Sequence, residues 1–557
     1  MNTAPAIKTN QTYFVVLVLL AVSIPLSKFT MSVFQFVLIL VWFADGFSGT
    51  VIQRYYRKTN FVAATYHSLI YTLKLAASNF VDKFGLFFKN RIALIISSLF
   101  LLHLIGLLHT SDFNYALKDL RTKLPIFVIP LVMSTMPALS RKQIKQLLIL
   151  YVLAVFIGTL FSMNAFFRQE FNDIRSISLF ISSIRFALNI LFAFFILSWF
   201  VFIEKEKTLL INLIWIVLMI WFVVFLMILE SGVGLVSLVF LLTAISAYKA
   251  FTIKRLKWRI ATIFLMIALP LSFYLYISSL VYKLSTADPV VIENLDSTTA
   301  QGTHYVHDTI NFGIEDGKYV GLYLAEPEMA KAWNQRSKLE YHGKDYAGQH
   351  LKYTLIRYLT SRDLRKDAAG VSQLSEKDIR AIENGIANVN YLKNPSIRTR
   401  ISKILLGYQQ YINLSDPNGS SVLQRIEYLK ASVHIIEHNF WIGVGTGDLP
   451  RHFENAYQEI DTVLKEKWQW RSHNQYLSIL IGFGVFGLVW FLVMLLFPYC
   501  YSRNYRHFLY TIFLAIFLIS MLTEDTIENQ AGVTFFAFFN AFFLLAATSL
   551  GRQSKDL

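Results

Sequence analysis

Residues 471–491 read RSHNQYLSILIGFGVFGLVWF. A histidine–asparagine pair heads an apolar run long enough to cross a bilayer as a helix, which takes about 20 residues. At about 100° per residue, Gly484 and Gly487 fall within roughly 40° of the His473 face. One stripe of the expected helix therefore carries an imidazole at its head and two glycines below, and glycines on a membrane helix admit a neighbouring backbone. Two readings stay open at this point. The histidine is held at the water boundary for chemistry, or it merely heads an ordinary packed span.

Working outward, the chain has 557 residues, of which 55% are hydrophobic and 15% aromatic. Its mean hydropathy is +0.47. That composition implies an all-α polytopic membrane protein and excludes an ordinary soluble domain. Apolar runs predict about twelve transmembrane helices, near 12–27, 30–45, 92–108, 123–137, 144–163, 186–203, 208–229, 232–249, 258–281, 474–498, 507–523 and 531–550. The first run starts after Lys8 without a small-residue cleavage site, so it reads as a span. HSLIYTLKLAASNF, within 46–91, fits an amphipathic surface helix. The single cysteine, Cys500, excludes an intrachain disulfide and a cysteine-based metal site.

The formal charge of +16 is unevenly placed. Lysine and arginine gather in one set of loops: Lys8, the 54–91 segment, Arg141 to Lys145, Lys205 and Lys207, the 249–259 loop, Arg503, Arg506, Arg552 and Lys555. The short loops of the other set hold only Lys28, Lys118, Arg121, Lys123, Arg168, Arg175 and Arg185. The positive-inside rule then puts both termini in the cytoplasm. The excess charge faces anionic lipid headgroups, and no nucleic-acid partner is expected. Transmembrane helices occupy 1–281 and 473–557, and 282–472 forms a large external domain.

That external domain reads as folded, mixed and mainly helical. YVHDTINFGIEDGKYVGLYLAE predicts a hairpin turning at Asp316-Gly317. LSEKDIRAIENGIANVNYL predicts a helix with a capping-box start at Ser375 and Asp378 and a stripe of Ile379, Ile382, Ile386 and Val389. VLQRIEYLKASVHIIEHNF predicts another, with Val422, Ile426, Leu429, Val433 and Ile436 on its apolar face.

Ionisable groups at span ends are costly and point to function. The topology sends Arg185, Glu230, His473 and Glu524, with Asp525 and Glu528, to one outer rim. Arg425 heads the helix leading to GVGTGD (443–448) and suits either a surface charge or a phosphate ligand. Gly443 and Gly445 could turn backbone N–H groups towards phosphate, or simply supply the positive φ of a turn. His434 and His438 stand at i and i+4 with no evident carboxylate third ligand, and nothing else has metal-ligand spacing. No metal and no cofactor are expected. A transporter would require paired broken helices or an inverted repeat, and neither is evident.

Taken together, Arg425, GVGTGD and HNQYLSILIGFGVFG (473–487) resemble the O-antigen ligase and polymerase superfamily of bacterial envelope glycosyltransferases. His473-Asn474, nine residues, then Gly484-Val485-Phe486-Gly487 fits that family's H-[NSQ]-x9-G-x-x-G pattern. The large loop just before this motif is also similar, as is the closing MLTEDTIENQAGVTFFAFFNAFF. RYLTSRDLRKDAAG and DIRAIENGI resemble versions from Bacteroidetes-type bacteria. The resemblance implies a GT-C-like fold in the inner membrane with its active site on the periplasmic side. It implies transfer of a glycan from undecaprenyl diphosphate to an acceptor hydroxyl, without metal or nucleotide sugar. For a ligase the acceptor is lipid A-core or a related glycan. A polymerase of the same superfamily is the alternative, followed by a non-catalytic or transport component. Carried over, His473 is the general base, and Arg425 and Arg185 hold the diphosphate. Asn474, Gly443, Gly445, Glu230 and Glu524 line the substrate site. Where family members often carry Ser-Arg, this chain has Ser231-Gly232.

Overall fold

A computed structural model describes residues 4–46, 77–168, 174–204, 208–393, 397–502 and 507–548. It is mainly helical. The first half contains α1 (Ala4–Leu26), α2 (Lys28–Gly46), α3 (Arg91–Ile105), α4 (Phe113–Lys123), α5 (Pro125–Thr135), α6 (Arg141–Arg168), α7 (Ser183–Trp199), α8 (Leu209–Ile228), α9 (Gly232–Thr252) and α10 (Leu256–Ser285). Among the described residues, each of the twelve expected apolar runs is mainly helical. Among the described residues, eight helices are long and apolar enough to cross a membrane. The fourth expected span is shorter than predicted. Pro125 opens the 11-residue α5 immediately after α4, whose last residue, Lys123, is fully buried. The surface helix expected over 67–80 lies largely outside the described residues, though helical backbone runs over 77–89.

Lipid provides no hydrophobic drive between helices, so close packing and internal hydrogen bonds hold the bundle together. The centre is aromatic. Phe192 of α7 packs edge-on to Phe513 and Phe539, at 5.5 and 4.9 Å between ring centroids. These belong to α18 (Phe508–Ser520) and α19 (Gln530–Ala541). Tyr151 of α6 satisfies its hydroxyl on Asn189 of α7 at 2.7 Å, as a buried polar group must. By contrast, α10 fully buries only Leu284 and packs chiefly on α9.

After α10, the chain builds two ribbons. β2 (Ile314–Glu315) and β3 (Lys318–Tyr319) form the expected hairpin, with Asp316 and Gly317 both at positive φ, 52° and 79°. β1 (Val306–Asp308) pairs antiparallel with β4 (Gly321–Leu324) across a bulge. A separate core spans Val320 to Val389 and takes in α11 (Glu326–Asn334), α12 (Leu351–Ser361) and α13 (Glu376–Glu383). The capping box of α13 forms as predicted, with Ser375 and Asp378 each accepting from the other's backbone N–H. The helix stops earlier than its stripe suggests, because Gly385 takes a positive φ of 81°. The chain then continues through α14 (Ile397–Leu414), α15 (Gln424–Asn439), α16 (Leu449–Glu459) and α17 (Gln475–Tyr501).

Two expectations fail here for physical reasons. Most of the apolar stripe of α15 does not face a core: Val422, Ile426, Leu429 and Val433 are exposed, only Ile436 packs inward, and the helix packs chiefly through Tyr428, Ala431 and Ile435. Nor is α17 continuous. Gly484 has φ 65° and ψ −170° and breaks it into two helices. His473 lies outside the helix, at φ 48°, so no single helical stripe joins it to Gly484 and Gly487.

Candidate active site

The break in α17 is filled by the GVGTGD loop. Val444 N donates to Ile481 O at 2.9 Å, Gly445 N to Gly482 O at 2.9 Å, and Val485 N to Phe440 O at 2.8 Å. These bonds satisfy backbone groups that the interrupted helix leaves open, as a membrane interior demands. The fit is tight: a Cβ on Gly484 would stand 2.1 Å from Trp441 O, and one on Gly443 2.4 Å from Gly482 C. Thr446 N and Gly447 N are directed at Gly106 O and Thr110 Oγ1. The loop's N–H groups are thus spent on the protein. Gly443 and Gly445 form a packing joint between α17 and α3, and not an open phosphate cradle.

The joint keeps α15 alongside the head of α17, with Tyr428 stacked on His473 at 5.3 Å and 24°. Asn474 caps α17, accepting from Tyr476 N and Leu477 N at 3.0 and 3.1 Å. Its amide donates to Leu522 O, and Gln475 N donates to Met521 O. Asn474 therefore pins the 521–529 loop, which carries three acids.

Glu524 is the hub of that loop, only 2% exposed. Arg185 donates to its Oε2 at 3.1 Å and Arg425 to its Oε1 at 2.7 Å. His473 Nδ1 stands 3.7 Å from Oε2, an ion-pair distance too long for a hydrogen bond. Arg185 also holds Asp525 O, and Arg425 holds Ser421 O and Thr523 O. Three residues about 50 to 300 positions apart in sequence thus meet at one carboxylate. Each keeps one buried nitrogen without a hydrogen-bond partner among the described residues: Nε of Arg185, Nε of Arg425 and Nδ1 of His473. Burial pushes the Glu524 carboxyl up, but contact with His473 and the charges of Arg185 and Arg425 more than reverse this. It titrates below the ordinary carboxylate range. Neighbouring Asp525 is raised by burial and by the Glu528 charge, and it accepts from Ser478 at 2.7 Å.

Glu230 is also buried, at φ 51°, in the turn before α9. Gly234, one turn on, packs against Ala187 of the Arg185 helix, which places Glu230's turn beside that helix. His434 pairs with Glu459 at 2.6 Å, and no group of three His, Cys, Asp or Glu suited to a metal occurs among the described residues.

A second network, missed in sequence, adjoins the first. Lys123 binds Glu528 at 2.8 Å and Asp119 at 3.2 Å, and Arg471 reaches Glu528 at 3.3 Å. His103 lies 3.7 Å from Asp119. His103, Asp119, Arg471 and Glu528 line a small cavity with Tyr115, Thr446 and Ser478 and the apolar Leu449, Ile479 and Phe483. The available signal was His103, a polar residue inside the apolar run of α3.

Fold and site together define a multi-pass membrane protein of helical type, with a charged centre built from the ends of several helices. Residues 386–492 match a family model described as O-Antigen ligase, which supports membership of the O-antigen ligase superfamily. Members of that family are glycosyltransferase-like ligases and polymerases acting on lipid-linked glycans. The matched stretch contains Arg425, the glycine loop and His473, while Arg185 and Glu524 lie outside it. No curated protein matches the chain at a significant level.

Proposed function

We propose that this protein transfers a glycan from undecaprenyl diphosphate to an acceptor hydroxyl, as an O-antigen ligase using lipid A-core, at the periplasmic face of the bacterial inner membrane. The observation that carries this is the convergence of Arg185, Arg425 and His473 on Glu524, each with an unpartnered buried nitrogen. A diphosphate suits two neighbouring guanidinium groups that each keep an unused Nε donor, since guanidinium pairs with phosphate through charge-assisted hydrogen bonds.

In the reaction, neutral His473 takes the proton of the acceptor hydroxyl. The acceptor oxygen bonds to the anomeric carbon, and that carbon's bond to the diphosphate oxygen breaks. The electron pair departs with the diphosphate, where Arg185 and Arg425 offset the charge. Glu524 offsets the charge gained by the imidazole and holds both arginines in place. Asn474, Gly443 and Gly445 serve by fixing the head of α17, and Glu230 by lining the rim near Arg185. Gly232, where an arginine is common in relatives, has nothing within 4 Å of an added Cβ. On this reading Arg185 and Arg425 bind the phosphates without a third arginine at position 232. The lysine and arginine asymmetry supports cytoplasmic termini and a periplasmic 282–472, with membrane helices in 1–281 and 473–557.

A lipopolysaccharide gel from a deletion strain tests the reading. Loss of all banding with carrier-linked polymer retained, restored by the parent gene but not by His473→Ala, is the expected result. A single-repeat band would mean a polymerase, and unchanged lipopolysaccharide would overturn the assignment.

A further inference from the structure

The outward face of α15 carries an apolar line that nothing among the described residues covers. Val422, Ile426, Leu429 and Val433 are exposed, and the line continues into Trp441 and Ile442, each 64% exposed. Soluble surfaces seldom carry so long a contiguous apolar line without a partner.

The backbone fixes where this line sits. Phe440 O and Val444 N are bonded inside α17, and Thr446 Oγ1 donates to His103 O of α3 at 2.7 Å. Both α17 and α3 are among the helices long and apolar enough to span a membrane. Gly484, at the joint, lies nine residues beyond Gln475, about 13 Å along a helix. Counted from the other side, Gly106 lies fifteen residues beyond Arg91, about 22 Å of a hydrocarbon layer about 30 Å thick. With Arg91 at the far edge, the tip lies about 8 Å inside the near one. The loop is also built for such a place. The N–H groups of all five residues 443–447 find protein acceptors, which irregular backbone at membrane depth requires and a water-facing loop does not. Two ion pairs lie beside the stripe, Glu427 with Lys430 and His434 with Glu459, and exposed Glu437 stands one turn beyond Val433, close to the tip.

We propose that α15, the glycine loop and α16 form a re-entrant hairpin, whose Trp441–Ile442 tip and the Val433 end of the α15 stripe lie against the acyl chains of the leaflet nearer Glu524. The segment enters and leaves the membrane on the same side, so the water-facing external domain ends before it. The proposal needs only that α3 and α17 span the membrane, and it is independent of the reaction.

Spin labels on the full-length protein in nanodiscs test it. In a Cys500→Ser background, Val433→Cys and Ile442→Cys would be labelled one at a time. Ile220→Cys on the exposed face of α8 marks lipid, and Ile310→Cys, 83% exposed in the external domain, marks water. Labels at 433 and 442 should collide with oxygen far more than with a nickel chelate, as at 220. Nickel preference at either position, as at 310, overturns the proposal. Low collision with both reagents at 433 also overturns it, because that result means a protein covers the stripe.

Discussion

Replacing Glu524 by glutamine removes the one charge shared by Arg185, Arg425 and His473. The side chain is 2% exposed and makes ion pairs at 3.1 and 2.7 Å. The Arg185 side chain is 10% exposed and the Arg425 side chain 30%. The two losses are therefore unequal. Breaking a buried pair by deleting one partner costs about 3–5 kcal/mol, because the remaining charge is stranded, and Arg185 is in that position. Arg425 reaches water, so its share is nearer the roughly 0–1 kcal/mol of a surface pair. Glutamine keeps one carbonyl acceptor, so Glu524→Gln should cost about 3 kcal/mol and Glu524→Ala about 4–5 kcal/mol. Reversible unfolding in mixed dodecyl-sulfate micelles reads the difference. The pH dependence has a definite sign. A carboxyl held below its unfolded value, near about 4.3, contributes stability that is fully present above that value and is lost as pH falls through the folded pKa. The gap between the parent and Glu524→Gln should therefore be constant from about pH 7 to 5 and shrink below about pH 4. A gap under about 0.5 kcal/mol at neutral pH would refute the view that this carboxylate holds the centre together.

Other perturbations separate chemistry from architecture. His473→Gln and His473→Ala should each lose about 10²–10⁴-fold in transfer rate with near-parental stability; retention of activity by Gln within a few-fold would make the ring a positioning group. Arg425→Lys keeps the charge and loses the planar fork, so most transfer should go in a carrier-lipid assay, with expression unchanged. Near-normal activity of Arg425→Ala would return it to a surface charge. Gly484→Ala should block folding, since its Cβ meets Trp441 O at 2.1 Å at positive φ, whereas Gly482→Ala makes ordinary contacts with Leu449 at 3.4 Å and Gly445 O at 3.9 Å and should assemble normally by size-exclusion profile. Transfer should survive exhaustive chelation, and recovery only with added Mg²⁺ or Mn²⁺ would contradict the arginine-only account of the leaving group.

Much of this was readable in the sequence because membrane helices announce themselves by length and apolarity. Each expected run is mainly helical among the described residues, and the Asp316-Gly317 turn and the Ser375 cap form where local chemistry puts them. Periodicity misled in two places. The helical wheel assumed an unbroken α17, but a glycine that can take positive φ lets the chain break where a second segment completes the hydrogen bonds. An apolar stripe on α15 says that something apolar lies against it, and not whether that is protein or lipid. Topology brought Arg185, His473 and Glu524 to one rim, yet nothing local foretold that Glu524 would be the hub. Contacts between residues hundreds of positions apart leave no periodic mark. The Lys123–Glu528 pair escaped for the same reason, with Lys123 read as an ordinary loop charge.

Tyr428 and Phe440 are twelve residues apart, and so are His473 and Val485. A ring stack joins these two legs at one end and a backbone hydrogen bond joins them at the other. The two legs act as matched rulers, and lengthening one alone by a residue shifts it by about 1.5 Å and turns it by about 100°. Either Arg425 and His473 then lose their common level, or the joint at Gly484 opens. Single-residue insertions between 428 and 440, or between 473 and 485, should therefore be lethal to assembly. The segment between α10 and α14 has its own core and enters neither leg. Its length can change without recalibrating the centre.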